Sequence, residues 1–154
     1  MSRASQAGFT LFEMVCVLAL IGMMAAVLLP FVPRHTTRPR LQAYALQTAA
    51  LLKADRNAAI RRGVAVATLV DAGSRQIRSG TSADMVRIPD DVRFDALLPR
   101  TCNRQEALST ISFFASGMSC GGAITLTRLD VGYEVRVNWL TGRIEIASRD
   151  NAAY

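Results

Sequence analysis

The chain has 154 residues, a formal net charge of +6, 51% hydrophobic residues and 19% charged residues. Beyond an apolar N-terminal segment, this length supports one domain with a single modest core, which excludes a chain of several domains. Three cysteines and one histidine are too few for a Cys/His metal site, and no cofactor is predicted. All but one of the 18 basic residues are Arg, a bias typical of a GC-rich genome.

The chain opens with a long apolar segment that contains one acid. Glu13 is the only charged residue between Phe9 and Val32. About 20 apolar residues cross a bilayer as a helix, so residues 9–32 are predicted to be the transmembrane half of an N-terminal helix. A carboxylate at membrane depth costs roughly 2.5–3.5 kcal/mol on insertion scales. Glu13 is therefore predicted to have a function that gives it a partner.

A short polar leader ends in Gly8, Phe9 follows, and Glu13 lies four residues further on, before an apolar helix. This pattern resembles the N-terminus of type IV prepilins. The resemblance implies that residues 1–8 are a leader, that a prepilin peptidase cuts between Gly8 and Phe9, and that it methylates the new Phe9 amine. It also implies that Glu13 pairs with the Phe9 amine of a neighbouring subunit during assembly. Pro30 matches a proline often found in the pilin helix.

The prepilin interpretation has one rival and one conflict. The rival is a simple single-pass anchor that carries an unrelated binding domain and keeps residues 1–8. The conflict concerns Arg34, Arg38 and Arg40, which the positive-inside rule places in the cytoplasm and the prepilin orientation places outside it. We expect the prepilin orientation, because the cleavage site must face its peptidase.

Residues 33–62 are predicted to be the periplasmic half of the helix. The helix is expected to bend or loosen at Pro30, Pro33 and Pro39, and the helical pattern resumes from Leu41 to about Arg62. Gly63 is a typical helix terminator. Apolar and small side chains recur every three or four residues, which predicts one face that packs against a sheet. The residues of this face are Leu41, Tyr44, Ala45, Thr48, Leu51, Leu52, Ala58 and Ala59.

Residues 63–154 are predicted to form a β-rich domain, because the hydrophobic period changes from about 3.6 residues to 2 after Gly63. The resemblance to prepilins implies that this domain is periplasmic. Turn residues at 71–74, 130–132 and 140–142 predict antiparallel hairpins. Residues 98–107 and 117–122 are predicted to be irregular. The strand candidates are residues 64–69, 76–78, 86–88, 92–94, 110–114, 123–129, 133–139 and 143–147.

A series of motifs in the second half of the chain makes the assignment more specific. They are Ile111-Ser112-Phe113-Phe114, Gly117, Gly121-Gly122-Ala123-Ile124-Thr125-Leu126, Tyr133-Glu134-Val135 and Trp139-Leu140-Thr141-Gly142-Arg143-Ile144. This series is similar to that of minor pseudopilins of the GspH/FimT family. The resemblance implies an α+β, type IV pilin-like fold, in which a long N-terminal helix packs on a small antiparallel domain of two β-sheets.

The same resemblance implies a function. The chain is expected to be a minor pseudopilin of a type II secretion system, near the tip of the periplasmic pseudopilus that drives export of folded proteins across the outer membrane. It is expected to be a single-pass protein of the inner membrane of a Gram-negative bacterium, not an enzyme. The implied partners are other major and minor pseudopilins, the prepilin peptidase and the inner membrane, with the secretin or secreted cargo as further candidates.

The three cysteines are expected to differ in their state. Cys16 lies in the apolar segment and is interpreted as a small buried hydrophobe. Cys102 and Cys120 lie in the exported domain, where disulfides persist. A bridge between them would stabilise the domain by roughly 3 kcal/mol, and two unpaired thiols are the alternative.

A type IV pilus minor pilin of the FimT kind, which acts in pilus assembly or in DNA binding and uptake, is the alternative function. Under this alternative Arg128, Arg136, Arg143 and Arg149 are candidate DNA contacts, because arginines bind phosphate with little sequence preference. Arg128 and Arg136 are expected to share a face if their strands pair. A solvated surface and contact with acidic partner subunits are the other interpretations of these residues.

Overall fold

The computed structural model describes residues 10–28, 35–107 and 109–150, which divide between two units, Met1–Arg34 and His35–Tyr154. The first unit contains helix α1, Leu11–Leu28. Thr10 caps this helix, since its Oγ1 accepts a hydrogen bond from the backbone amide of Glu13 at 3.3 Å. Thr10 and Glu13 have the spacing of a capping box, so the residues that resemble a prepilin motif also determine where α1 begins.

Helix α2, Arg38–Arg62, belongs to the second unit. It begins three residues before Leu41, where the sequence pattern predicted that the helix resumes, and residues 35–37 are not helical. Pro39 is compatible with this start, because proline lacks an amide proton and is tolerated in the first turn of a helix. The helix ends at Gly63, which adopts a left-handed conformation with φ of 66°.

The predicted apolar face of α2 is the buried one. Seven of its eight predicted residues are buried and Tyr44 is partly buried. The structure adds two residues to this face, Ala49 and Asp55. Asp55 is the surprise, because a carboxylate is rarely buried without a partner.

Within the described residues, ten strands follow α2 and pair in an antiparallel manner. They are β1 Val66–Asp71, β2 Gln76–Arg78, β3 Met85–Arg87, β4 Arg93–Leu97, β5 Thr101–Cys102, β6 Gln105–Glu106, β7 Thr110–Phe113, β8 Gly122–Arg128, β9 Val131–Val137 and β10 Ile144–Asp150. One sheet has the order β3-β2-β1-β7 and the other β10-β9-β8-β4. This confirms the predicted α+β fold with two antiparallel sheets. The small β5–β6 pair lies in a segment that was predicted to be irregular.

One hydrophobic core joins α2 to both four-stranded sheets. Its largest fully buried side chains include Phe113, Leu41, Leu52, Ile124 and Leu126. Full burial of such a side chain contributes about 1.5–3 kcal/mol to folding, so α2 is held mainly by its apolar face. The alternation predicted for the last three strands is confirmed with two exceptions: Ile146 remains 37% exposed, and the polar residue Glu134 is buried.

The turns between the last three strands differ in how well they were predicted. β8 and β9 are joined by two residues, Leu129 and Asp130, since Arg128 already pairs with Val131. The turn predicted at residues 130–132 is therefore displaced towards the N-terminus. The turn between β9 and β10 contains the predicted residues 140–142 and is closed by Asn138, whose Oδ1 accepts the amides of Leu140 at 2.9 Å and Thr141 at 3.0 Å.

Candidate functional site

Glu13 lies in the first turn of α1 with its side chain exposed. Its backbone amide is bound by Thr10, but its carboxylate has no hydrogen bond or ion pair within the described part of the chain. The carboxylate is thus available to a partner. Gly8 and Phe9, the predicted cleavage and methylation site, lie outside the described residues.

The surface of α1 is apolar and exposed. Leu11 is 83% exposed and Phe12 is 77% exposed, and most of the other large side chains of α1 are more than half exposed. An apolar surface of this extent marks a site for another protein or for lipid. Cys16 is also exposed on α1 rather than buried, and it is a free thiol. Among the described residues, no helix is long and apolar enough to cross a membrane.

A polar contact ties the segment before α2 to the β-domain. Asp91 accepts hydrogen bonds from the Thr36 backbone amide at 2.7 Å and from the Thr36 hydroxyl at 2.8 Å. Arg128 at the end of β8 donates to the same carboxylate at 3.0 Å. The bonds from Thr36, and then the Arg128 guanidinium, hold the pKa of Asp91 below its usual value. The segment just before α2 is therefore held against the β-domain by Asp91, which is 55 positions from Thr36 in the sequence.

A second polar contact is centred on Asp55, which is fully buried on α2. Its carboxylate accepts hydrogen bonds from the hydroxyls of Thr68 at 2.6 Å, Ser79 at 2.6 Å and Thr81 at 2.8 Å. The backbone amide of Gly80 donates a fourth bond at 3.0 Å. These bonds attach the loop after β2 to α2. The burial of Asp55 could have been predicted from the sequence, because position 55 has helical spacing from Leu51, Leu52, Ala58 and Ala59.

A third contact connects α2 with two loops of the β-domain. Arg56 Nε donates to the carbonyl of Gly117 at 3.1 Å, and Nη2 donates to the carbonyl of Thr141 at 3.1 Å. A Cβ on Gly142 would lie 2.0 Å from the Gly117 oxygen and 2.8 Å from Arg56 Nε. Gly142 also has φ of 61°, which favours glycine. The glycine of the Trp-Leu-Thr-Gly-Arg motif is thus required where two loops and a helix converge.

The structure contains the predicted disulfide between Cys102 and Cys120, whose Cα atoms are 5.7 Å apart. It joins β5 to the glycine-rich segment just before β8. The bridge therefore attaches residues 98–107, which follow the edge strand β4, to the segment that leads into β8.

The four arginines considered for DNA contact are not arranged as the sequence suggested. Successive residues of a strand point to opposite faces, so Arg128 lies on the same face as buried Leu126, while Arg136 lies opposite buried Val135. The expectation that Arg128 and Arg136 share a face is therefore wrong.

Each of the four arginines is also paired with a carboxylate. Arg128 binds Asp91 at 3.0 Å and Arg143 binds Glu145 at 3.1 Å. Arg136 and Arg149 both bind the buried carboxylate of Glu134. These carboxylates compensate the positive charge of the arginines, on which binding to DNA phosphates would depend.

Sequence comparison identifies two regions of the chain. Residues 3–29 match the prokaryotic N-terminal methylation motif, and residues 45–142 match the type II transport protein GspH family. Type II secretion system protein H of Xanthomonas campestris pv. campestris is 31% identical over 144 residues, which cover 92% of this chain and 83% of that protein.

Solved structures have the same fold. The minor pseudopilin EpsH from the type 2 secretion system of Vibrio cholerae aligns with a TM-score of 0.55 and 11% identity, covering 70% of this chain and 96% of EpsH. The type IV minor pilin FimU of Pseudomonas aeruginosa aligns with a TM-score of 0.52 and 17% identity, covering 71% of this chain and 90% of FimU. At these identities the likeness concerns the fold alone.

Proposed function

Because this chain belongs to the type II transport protein GspH family and is a minor pseudopilin of a type II secretion system, we propose that it assembles near the tip of the periplasmic pseudopilus. There it contributes to the export of folded proteins across the outer membrane. The observation that carries the proposal is the presence of two matches in one chain, the methylation motif at residues 3–29 and the family domain at residues 45–142. Its partners are the other major and minor pseudopilins, with the secretin or the cargo as further contacts of the β-domain.

The proposed assembly step begins with processing by the prepilin peptidase. Cleavage between Gly8 and Phe9 creates a new ammonium group at Phe9, which is then methylated. Glu13 of the neighbouring subunit pairs with this ammonium, because each charge is costly in an apolar surrounding until it meets the other. The exposed carboxylate of Glu13, which has no partner in the described residues, supports this role.

Before assembly, residues 9–32 anchor the chain in the inner membrane and the rest of the chain lies in the periplasm. The exposed apolar surface of α1 supports an environment of lipid or of other apolar helices. The Cys102–Cys120 disulfide supports an oxidising compartment for the β-domain, since such bridges are rare in the cytosol.

The direct test is the N-terminal residue and mass of the protein recovered from membranes, together with secretion in a strain that lacks the gene. We expect a start at N-methylated Phe9 and a secretion defect that the wild-type gene restores. A start at Met1, in cells whose peptidase cuts another prepilin, would refute the processing step. Normal secretion combined with loss of DNA uptake would replace the proposal by the pilus alternative.

A further inference from the structure

A wide cleft lies between α2 and the turn that joins β9 to β10. Its volume is about 690 Å³. Its lining residues are Lys53, Arg56, Asn57, Thr141, Gly142, Arg143 and Ile144. Three of these side chains are cationic and, within the part of the chain that the structure describes, none of the lining residues is acidic.

The positive charge of the cleft is largely uncompensated. Lys53 is exposed and has no hydrogen bond or ion pair among the described residues. The Arg56 guanidinium donates hydrogen bonds to two neutral backbone carbonyls, those of Gly117 and Thr141. Arg143 is compensated by Glu145, which lies 3.1 Å from its Nε. The positive potential of the concave cleft therefore comes from Lys53 and Arg56, and it attracts an anionic group.

The cleft is also organised before any partner arrives. Lys53, Arg56 and Asn57 have the spacing of three and four residues that places side chains on one face of a helix. Arg56 is held between the loops of Gly117 and Thr141, and Gly142 allows those loops to approach it closely. A charged side chain that is already fixed loses less conformational entropy on binding than a free one.

We propose that this cleft binds an acidic polypeptide segment, whose Asp or Glu side chains meet Lys53 and Arg56. The inference rests on the proposed function, because in an assembled pseudopilus the acidic segment belongs to a neighbouring pseudopilin subunit. It adds to that function a specific docking site on the β-domain side of α2, distant from Glu13 in the sequence.

Two other anionic partners fit the observations less well. Binding to a nucleic acid requires cations that follow successive phosphates. The three candidate arginines outside the cleft, Arg128, Arg136 and Arg149, already pair with carboxylates, as does Arg143 within it. A lipid headgroup requires a site near the membrane-proximal start of α2. Lys53 lies 15 residues after Arg38, which at 1.5 Å per residue is about 22 Å along the helix.

The test uses the full-length chain in non-ionic detergent and a fluorescent hexaglutamate peptide as the probe. Lys53→Glu reverses one charge of the cleft, and Arg87→Glu reverses an exposed charge on β3, in the other sheet, as the matched control. We expect saturable binding that weakens about tenfold or more in Lys53→Glu, that changes less than about twofold in Arg87→Glu and that declines with added salt. Lys53→Gln removes the positive charge without adding a negative one. Weaker peptide binding in this variant as well would show that the loss in Lys53→Glu does not come from misfolding.

Three results would overturn the inference: no saturable binding of the peptide, an equal loss in the Lys53 and Arg87 variants, or tighter binding of duplex DNA or of anionic phospholipid vesicles that depends on Lys53. A photo-crosslinking residue at Asn57 gives a second measurement in secreting cells. We expect it to capture another pseudopilin, while the same residue at position 87 does not. Capture of the exported protein alone would contradict the neighbouring subunit as the occupant.

The outcome is separable from that of the proposed function. If the N-terminus is processed and secretion requires the chain, but the peptide does not bind, only the cleft inference fails. If the peptide binds through Lys53 but the chain starts at Met1 and secretion is normal without it, only the proposed function fails.

Discussion

At the scale of single residues, Glu13 combines two roles. Its backbone amide completes the cap that starts α1, while its carboxylate remains exposed and without a partner in the described residues. The cap uses only the backbone amide of Glu13, so it does not require a carboxylate at this position. The charge itself is therefore explained by an external cation, and the Phe9 ammonium of a neighbour is the one we propose.

Substitution of Glu13 tests this separation. We expect Glu13→Gln and Glu13→Ala to be cleaved normally. The amount of other pseudopilins that co-purifies should fall at least about tenfold, because a loss of about 1.4 kcal/mol of binding free energy is enough for a tenfold change. The measurement is the amount of partner that co-purifies after mild detergent extraction. Glu13→Asp keeps the charge and should retain most of the association. Unchanged co-purification and secretion in Glu13→Gln would disprove the pairing.

Gly142 is the second residue whose identity the structure explains. We expect Gly142→Ala to lower the free energy of unfolding by about 2–4 kcal/mol, since a left-handed backbone and an overpacked contact each cost roughly 1–3 kcal/mol. Gly63→Ala is the matched control, because Gly63 has a similar φ of 66° and nothing within 4 Å of an added Cβ. Urea unfolding followed by the fluorescence of Trp139, the single tryptophan, compares the two. Equal losses in both variants would contradict the close contact.

At the scale of elements, α2 is held by its apolar face and oriented by polar contacts. Asp55 attaches the loop after β2, Arg56 attaches two loops on another side, and Asp91 attaches the segment before the helix. Apolar burial supplies most of the energy but has little direction, whereas hydrogen bonds require particular atoms at particular positions. The polar contacts therefore determine how the loops meet the helix.

The contact of Asp91 predicts a dependence on pH. Its pKa in the folded protein lies below the ordinary value of 3.8, so the contact stabilises the fold fully above that value. The stabilisation is lost as the pH falls through the lower, folded-state pKa. We therefore expect Asp91→Asn to lower the urea midpoint at pH 7, and the difference from the wild type to shrink at pH values below the folded-state pKa.

A neighbouring carboxylate provides the control for this experiment. Asp90 is fully exposed and, among the residues that the structure describes, its carboxylate contacts only Arg75, at 3.5 Å, so Asp90→Asn should leave the midpoint almost unchanged at either pH. A fall of the same size in both variants would indicate a general effect of charge rather than the contact with Thr36.

At the scale of the whole molecule, the two units carry different tasks. The first contains the methylation motif and an exposed apolar helix, and the second contains the core, the disulfide and the cationic cleft. The second unit has a small core for a chain of this length. A covalent link is a typical supplement to a small exported domain.

The Cys102–Cys120 bridge should therefore contribute measurably to stability. The cysteines are 18 positions apart, for which the chain-entropy estimate is about 3 kcal/mol. We expect Cys102→Ser, or reduction with dithiothreitol, to lower the free energy of unfolding by about 2–4 kcal/mol in urea titrations. Cys16→Ser is the control, because Cys16 is a free thiol on α1 and its loss should change nothing. Insensitivity to reductant would show that the bridge does not stabilise the domain.

Several features of this protein could be predicted from the sequence because they depend on residues close together in the chain. The helical spacing of Leu41, Ala45 and Leu52 predicted the buried face of α2, and the alternation from Ile124 to Val137 predicted the faces of β8 and β9. The resemblance to a known family supplied the fold and the type of function, which the comparisons confirm. The helical pattern was predicted to resume at Leu41, and α2 begins three residues earlier, because Pro39 is tolerated in the first turn of a helix.

Other features depend on residues that meet only in the folded chain, and the tertiary structure alone decided them. The pairing of β4 with β8 brings together segments that are about 30 residues apart, and Asp91 reaches Thr36 across 55 positions. The carboxylates that pair with Arg128 and Arg149 likewise come from distant positions, which is why a basic C-terminal region predicted from sequence is compensated in the structure. Periodicity specifies which face of a helix or strand is buried, whereas the partner of a polar group depends on how the packed elements place it in three dimensions.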